Sequence, residues 1–153
     1  MSKERKLLVV DGSNQILGRL ASIVAKKLLE DENLEIVVVN VEKIVVSGKP
    51  SEVIKWYKKT ILPVRSHHKH KWRPKRPRSP IRLFKKAVWG MLPKHNKRGK
   101  NAYKRLKAFI GVPEEFKNVE KVSFKEADAS RLARDYVELG RIALELGWRG
   151  ASR

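Results

Sequence analysis

The sequence predicts an α/β fold in which helices cover a parallel sheet. Three observations point there. Residues 7–10, Leu-Leu-Val-Val, form the short continuous apolar run expected of a strand buried on both faces. Leu17, Leu20, Ala21, Val24 and Leu28 then recur at three- and four-residue spacing, which is one face of an amphipathic helix. Residues 34–39 give a second buried run rich in Val and Ile. Strand, helix, strand and helix in such short order favour parallel pairing through crossover helices.

The remaining elements follow from local chemistry. Asp11-Gly12-Ser13-Asn14 reads as turn and N-cap chemistry between the first strand and its helix. Residues 44–46 are a brief third apolar run, closed by Ser47-Gly48-Lys49-Pro50. Residues 51–57 return to a helical pattern, with Val53, Ile54, Trp56 and Tyr57 as contacts. Residues 65–80 carry Pro74, Pro77 and Pro80, a density that prevents regular helix or inner strand and predicts an extended loop. Ser79-Pro80 has the form of an N-cap and first turn, and Ile81, Phe84, Val88 and Met91 share the face of the helix that follows. Pro93 stops that helix, residues 94–99 make a basic turn, and residues 101–109 read as another helix ended by Gly111 and Pro113. Val119, Val122 and Phe124 predict a last strand. Asp128 or Ser130 would cap a final helix bearing Leu132, Tyr136, Leu139, Ala143 and Leu146. No internal repeat is present. The expectation is a single α/β domain over residues 1–153, its sheet built from both termini around an insert at 53–113.

That insert holds all the excess charge. Of 36 Lys and Arg, 20 lie between residues 53 and 113, where there is no Asp or Glu; the other 16 are matched by all 16 acids, so the net +20 belongs to one stretch. Such a stretch repels itself unless a polyanion neutralises it, and the common cellular polyanion is nucleic acid. A hydrophobic content of 41% is too high for a wholly disordered basic tail. With no cysteine, disulfides and thiolate metal sites are excluded. No run approaches the roughly 20 apolar residues of a membrane helix, and residues 1–6 lack a signal-peptide core, so a cytoplasmic protein without membrane contact is expected. One glutamine and 34% charged residues lean towards a heat-adapted source.

Candidate chemistry divides into three. The Gly12–Gly18 turn, followed by Arg19, invites a phosphate-loop reading, and Asp11 stands where α/β enzymes place an acid. An enzyme acting on RNA or a nucleotide is therefore the competing class. The turn has five residues between its glycines and lacks the Lys-Ser/Thr pair of a Walker loop, so Asp11 is expected to cap the following helix instead. His67, His68, His70 and His95 sit among cations with no carboxylate nearby, which disfavours a metal ion. Neither a cofactor nor a small-molecule substrate is expected. In the third reading Trp56, Trp72, Trp89 and Tyr103, interleaved with Lys and Arg, suit stacking on bases or sugars. The expected RNA contacts are Arg65, His67, His68, Lys69, His70, Lys71, Trp72, Arg73, Lys75, Arg76 and Arg78 in the loop; Arg82, Lys85 and Lys86 in the first basic helix; and Lys94, His95, Asn96, Lys97, Arg98, Lys100, Lys104 and Arg105 beyond it.

Five blocks together resemble a known family. They are Val9-Val10-Asp11, Leu17-Gly18-Arg19-Leu20-Ala21-Ser22, Val38-Val39-Asn40, Val46-Ser47-Gly48-Lys49 and Trp89-Gly90-Met91-Leu92-Pro93 with its tail Lys94-His95-Asn96-Lys97-Arg98-Gly99. They resemble the universal large-subunit ribosomal protein family numbered thirteen, from about residue 7 to 113. The segment ending Leu144-Glu145-Leu146-Gly147-Trp148-Arg149 looks like the archaeal–eukaryotic branch, and an archaeal member in particular. The resemblance implies a three-layer α/β/α fold with a four-stranded parallel sheet and a basic loop/helix insert. It also implies binding to large-subunit ribosomal RNA, contact with neighbouring ribosomal proteins, and a structural role in subunit assembly without catalysis. Residues 90–99 are the segment that it places most firmly on RNA.

Overall fold

The computed structural model of the chain describes residues 4–63 and 76–150. Strand β1 (Lys6–Asp11) pairs in parallel with β2 (Leu34–Val39) along its whole length, from Lys6 opposite Leu34 to Asp11 opposite Val39. Helix α1 (Leu17–Glu30) makes the crossover, and its predicted face is the buried one: Leu20, Val24 and Leu28 are fully enclosed. Burying each such side chain stabilises the fold by about 1.5–3 kcal/mol.

The other edge of β2 is taken by β4 (Leu106–Ala108), in parallel from Ile36 opposite Leu106 to Val38 opposite Ala108. This departs from the sequence reading in two ways. The helix expected over 101–109 is α4 (Lys97–Lys104), which ends so that the chain can turn at Arg105 into a strand. The basic stretch is therefore no insert mounted on a finished sheet, because it supplies one of the strands.

The parallel sheet has three strands, not four, in the order β1-β2-β4. The strand expected at 119–124 shrinks to one parallel bridge between Val10 and Val122. There the Val122 N–H donates to Val9 O (2.9 Å) and the Asp11 N–H to Val122 O (3.0 Å). Two residues on, the Phe124 N–H is already turned to Gln15 Oε1 at 3.3 Å, so pairing cannot continue.

The third apolar run, β3 (Val45–Ser47), stands apart from this sheet and pairs antiparallel with β5 (Tyr136–Glu138). That pairing shortens the expected last helix. Residues 136–138 are extended against β3, so α5 covers only Leu139–Glu145, and Tyr136 is exposed instead of lying on a helical face. Asp128 caps a three-residue 3-10 turn, Ala129–Arg131, by accepting from the Ser130 N–H at 3.0 Å.

The layering is also simpler than α/β/α. Val10, Ile36, Val38 and Leu106 face α1, α3 (Pro80–Met91) and α4 through Leu20, Val24, Phe84, Val88 and Ala102. On the opposite face Val9, Val37 and Val39 are covered by Phe109, Val112 and Phe116. That cover is an irregular segment with a 3-10 turn at Glu114–Phe116; among the described residues no α-helix lies there. Helix α2 (Pro50–Ile61) packs on α5 beside the helical layer.

Two local devices place the basic elements. Ser79 Oγ accepts from the Arg82 N–H (3.3 Å) and Pro80 occupies the first turn of α3, as the sequence predicts. Gly99 lets α4 start against the preceding turn, since a Cβ there would lie 2.1 Å from the Pro93 carbonyl oxygen.

Candidate nucleic-acid interface

Helix α3 is two-faced. Leu83, Phe84 and Val88 are buried, while Arg82, Lys85, Lys86 and Trp89 follow one another at three- and four-residue spacing along the outer face. Met91, expected on the buried face, is 45% exposed at the helix end, and Leu92 is buried in its place. Helix α4 presents a second stripe, Lys97, Lys100 and Lys104, all exposed. Its inner side carries Gly99, Ala102 and Tyr103, and Tyr103 reaches α3.

The Trp89 and Tyr103 rings meet edge-on, with centroids 5.0 Å apart and planes at 61°. Lys85 Nζ lies 4.7 Å above the Tyr103 ring. Burial pushes the Lys85 ammonium below the ordinary lysine range. These groups line a cleft of about 710 Å³, rimmed by Arg76, Arg82 and Lys86. Of the four aromatics that the sequence marks for stacking, Trp89 and Tyr103 are brought together in this cleft, while Trp56 lies exposed on α2.

The other expected residues fall in different places. Lys94, His95 and Asn96 form the exposed turn between α3 and α4. Arg76 and Arg78 enter α3 from the loop, with Arg78 Nη1 3.6 Å from where a Cβ on Gly147 would stand. Arg65, His67, His68, Lys69, His70, Lys71, Trp72, Arg73 and Lys75 lie outside the described residues.

Arg98 and Arg105 both reach the end of α1, Arg98 along the surface and Arg105 from a partly buried position. Arg98 Nη2 donates to Leu29 O at 2.6 Å. Arg105 Nη1 donates to Asp31 O (2.7 Å) and Leu34 O (2.8 Å), and its Nη2 to Leu28 O (2.7 Å). These guanidiniums satisfy carbonyls that the helix end leaves open and complement its dipole. Of the described cations in the acid-free stretch, Lys58 pairs with Glu145 and Lys107 with Glu35. No other lysine or arginine of that stretch reaches a carboxylate among the described residues.

The Gly12–Gly18 turn has the opposite character. The N–H groups of residues 12–16 are spent internally: Gly12 on Val39 O, Ser13 on Asp11 Oδ1, Asn14 on Lys43 O, Gln15 on Gly12 O and Ile16 on Ala127 O. A Cβ on Gly12 would meet Ile44 Cγ1 at 2.9 Å, so the glycine accommodates the protein's own core. Asp11 does not cap α1, whose N-cap is Ile16. It braces the turn, accepting from the Ser13 N–H (3.0 Å) and Asn40 Nδ2 (3.1 Å). Burial would raise its pKa, but these hydrogen bonds and the Lys43 charge outweigh burial and hold it below the ordinary carboxylate range.

A small α/β scaffold with one cationic, aromatic-lined side has the construction of a polyanion-binding protein. Comparison with known proteins gives the family: the Ribosomal protein L13 model matches residues 5–115, and the chain belongs to that family. It is 57% identical over 147 residues to large ribosomal subunit protein uL13 of Aeropyrum pernix, covering 96% of this chain and 94% of that protein. The proteins of the same name from Sulfurisphaera tokodaii and Methanopyrus kandleri are 41% and 42% identical, covering 93% and 92% of this chain and 95% and 86% of theirs.

Proposed function

We propose that this chain is a structural constituent of the large ribosomal subunit that binds and stabilises large-subunit ribosomal RNA during assembly. The observation that carries the reading is the pair of cationic stripes on α3 and α4, whose exposed charges find no carboxylate among the described residues. A phosphate backbone supplies the missing counter-charge, and release of its counterions drives binding. Arg82, Lys86, Lys97, Lys100 and Lys104 are the central phosphate contacts, with Arg76, Arg78, Lys94, His95 and Asn96 extending them. Arg65, His67, His68, Lys69, His70, Lys71, Trp72, Arg73 and Lys75 are further RNA contacts in this reading, on their residue chemistry alone. Arg98 and Arg105 act indirectly, by fixing α4 against α1.

The role is architectural, not catalytic. Asp11 and the turn after it brace the strand-to-helix junction, and the amides of residues 12–16 are taken up within the protein, not held open for a phosphate. Neighbouring ribosomal proteins are the further partners. A groove of about 280 Å³ between α2 and α3, lined by Leu17, Tyr57, Ala87 and the 59%-exposed Trp56, offers such a protein an apolar seat. The function is tested by mixing the chain with large and small ribosomal subunits stripped of this protein and sedimenting them in moderate salt. Retention on the large subunit alone supports it; equal retention on both, or on neither, refutes it.

A further inference from the structure

We propose that the cleft between α3 and α4 holds a single unpaired nucleotide of the RNA, its base against Trp89 and Tyr103 and its phosphate among Arg82, Lys85 and Lys86. The inference deepens the RNA-binding reading and rests on it. Its starting point is a mismatch between the cleft and the rest of the basic surface. Lys97 and Lys100 stand on an open helix face, which a duplex backbone could lie against without entering a recess. Arg82 and Lys86 instead rim a recess of about 710 Å³ with aromatic walls, within the range of roughly 300–1,000 Å³ of sites that bury a small ligand.

The walls select for a planar group. Trp89 and Tyr103 meet at 61° with centroids 5.0 Å apart, a corner that offers one ring face and one ring edge to an inserted base. Both side chains also pack on the core, so the corner is preformed and loses little freedom on binding. A base inside a duplex cannot enter, because its faces are already stacked on its neighbours; an unpaired one can.

Lys85 adds the anionic requirement. Its ammonium is drawn over the Tyr103 ring at 4.7 Å, half-buried, with no carboxylate partner among the described residues. A partly desolvated cation held only by a ring face lacks a counter-charge in the free protein, and a nucleotide phosphate beside it supplies one. Arg82, one helical turn before Lys86, brings a planar fork to the same rim.

The test uses the full chain, an RNA decamer of adenosines, the same decamer paired with uridines, adenosine 5′-monophosphate, and a uridine decamer carrying 5-iodouridine for photocrosslinking. The single strand is expected to bind tighter than the duplex at equal ionic strength. Trp89→Leu and Tyr103→Leu should each reduce that preference by about 5- to 150-fold, the ratio that loss of one stacked base produces. Because either change could unsettle the core, the wild-type crosslink is the independent arm: it should map to Trp89 or Tyr103. The free monophosphate should bind far more weakly than the decamer, as expected if the site reads a nucleotide within a chain. Equal binding of single strand and duplex, with crosslinks only to Trp56 or the loop, overturns the nucleotide cleft and leaves RNA binding intact. Failure of every RNA to bind at low salt overturns both.

Discussion

Arg105 Nη2 lies 2.7 Å from the carbonyl oxygen of Leu28, and the same guanidinium reaches the carbonyls of Asp31 and Leu34. A residue from the most basic part of the chain thus closes the end of the first helix, 77 positions earlier. Charge in this protein is not all surface charge. Replacing Arg105 by Met should cost about 1.5–3 kcal/mol, the range for hydrogen bonds to a charged group. Urea unfolding measures the loss. The salt dependence of RNA binding by the folded variant should change by less than it does for any exposed lysine of α4.

Gly99 makes a purely steric prediction. A methyl group there would stand 2.1 Å from the Pro93 carbonyl oxygen, and backbone cannot yield as a flexible side chain would. Gly99→Ala should destabilise by about 1–3 kcal/mol, as overpacking does. Gly90→Ala, where a Cβ meets nothing within 4 Å, should stabilise α3 by up to about 1 kcal/mol. Thermal melts of the two variants should therefore move in opposite directions.

Asp11 predicts a pH dependence. Its carboxyl is held below the ordinary range in the folded state, so its stabilisation is fully present above the unfolded pKa, about 3.9. It is lost as pH falls through the lower folded value. Asp11→Asn should be less stable than wild type near neutral pH, with the difference closing as the medium becomes more acidic than about pH 4. Large-subunit ribosomal RNA affinity at neutral pH should be unaltered. An enzyme using this acid would instead show an activity that the variant abolishes.

Lys85 predicts a separation of stability from binding. Its charge is disfavoured by burial in the free protein, a penalty present at neutral pH and relieved as pH rises towards the ordinary lysine range. Lys85→Met keeps the stem packed on Tyr103 and removes the charge. It should leave the unfolding midpoint unchanged or slightly raised while weakening RNA binding at neutral pH. A fall in both would show that the ammonium mainly serves the fold.

Elements with long, regular patterns are legible in the amino-acid sequence alone. The α1 face of Leu20, Val24 and Leu28, the buried run of β2, and the Ser79-Pro80 start of α3 all follow from periodicity and capping. What the sequence hides is set by distant pairing. Leu106-Lys107-Ala108 is too short to announce a strand and becomes one because the edge of β2 is open to it. Tyr136–Glu138 fits a helical pattern locally but is taken by β3. The basic residues are equally visible, yet composition cannot sort Lys100, exposed on α4, from Arg105, folded inward on carbonyls. That division depends on where a helix some 70 residues away in the chain happens to end.

The central claim is that the charges of α3 and α4 meet RNA phosphates. Its most direct test is the salt dependence of binding to large-subunit ribosomal RNA, compared between wild type and a variant with Arg82, Lys86, Lys97 and Lys100 all changed to Gln. These side chains lie outside the internal ion pairs and carbonyl contacts, so the variant should keep the wild-type unfolding curve. Each lost phosphate contact should reduce the slope of log affinity against log salt by about 0.7–0.9, or roughly 3–4 for the four together. A folded variant with the wild-type slope and affinity would contradict the account.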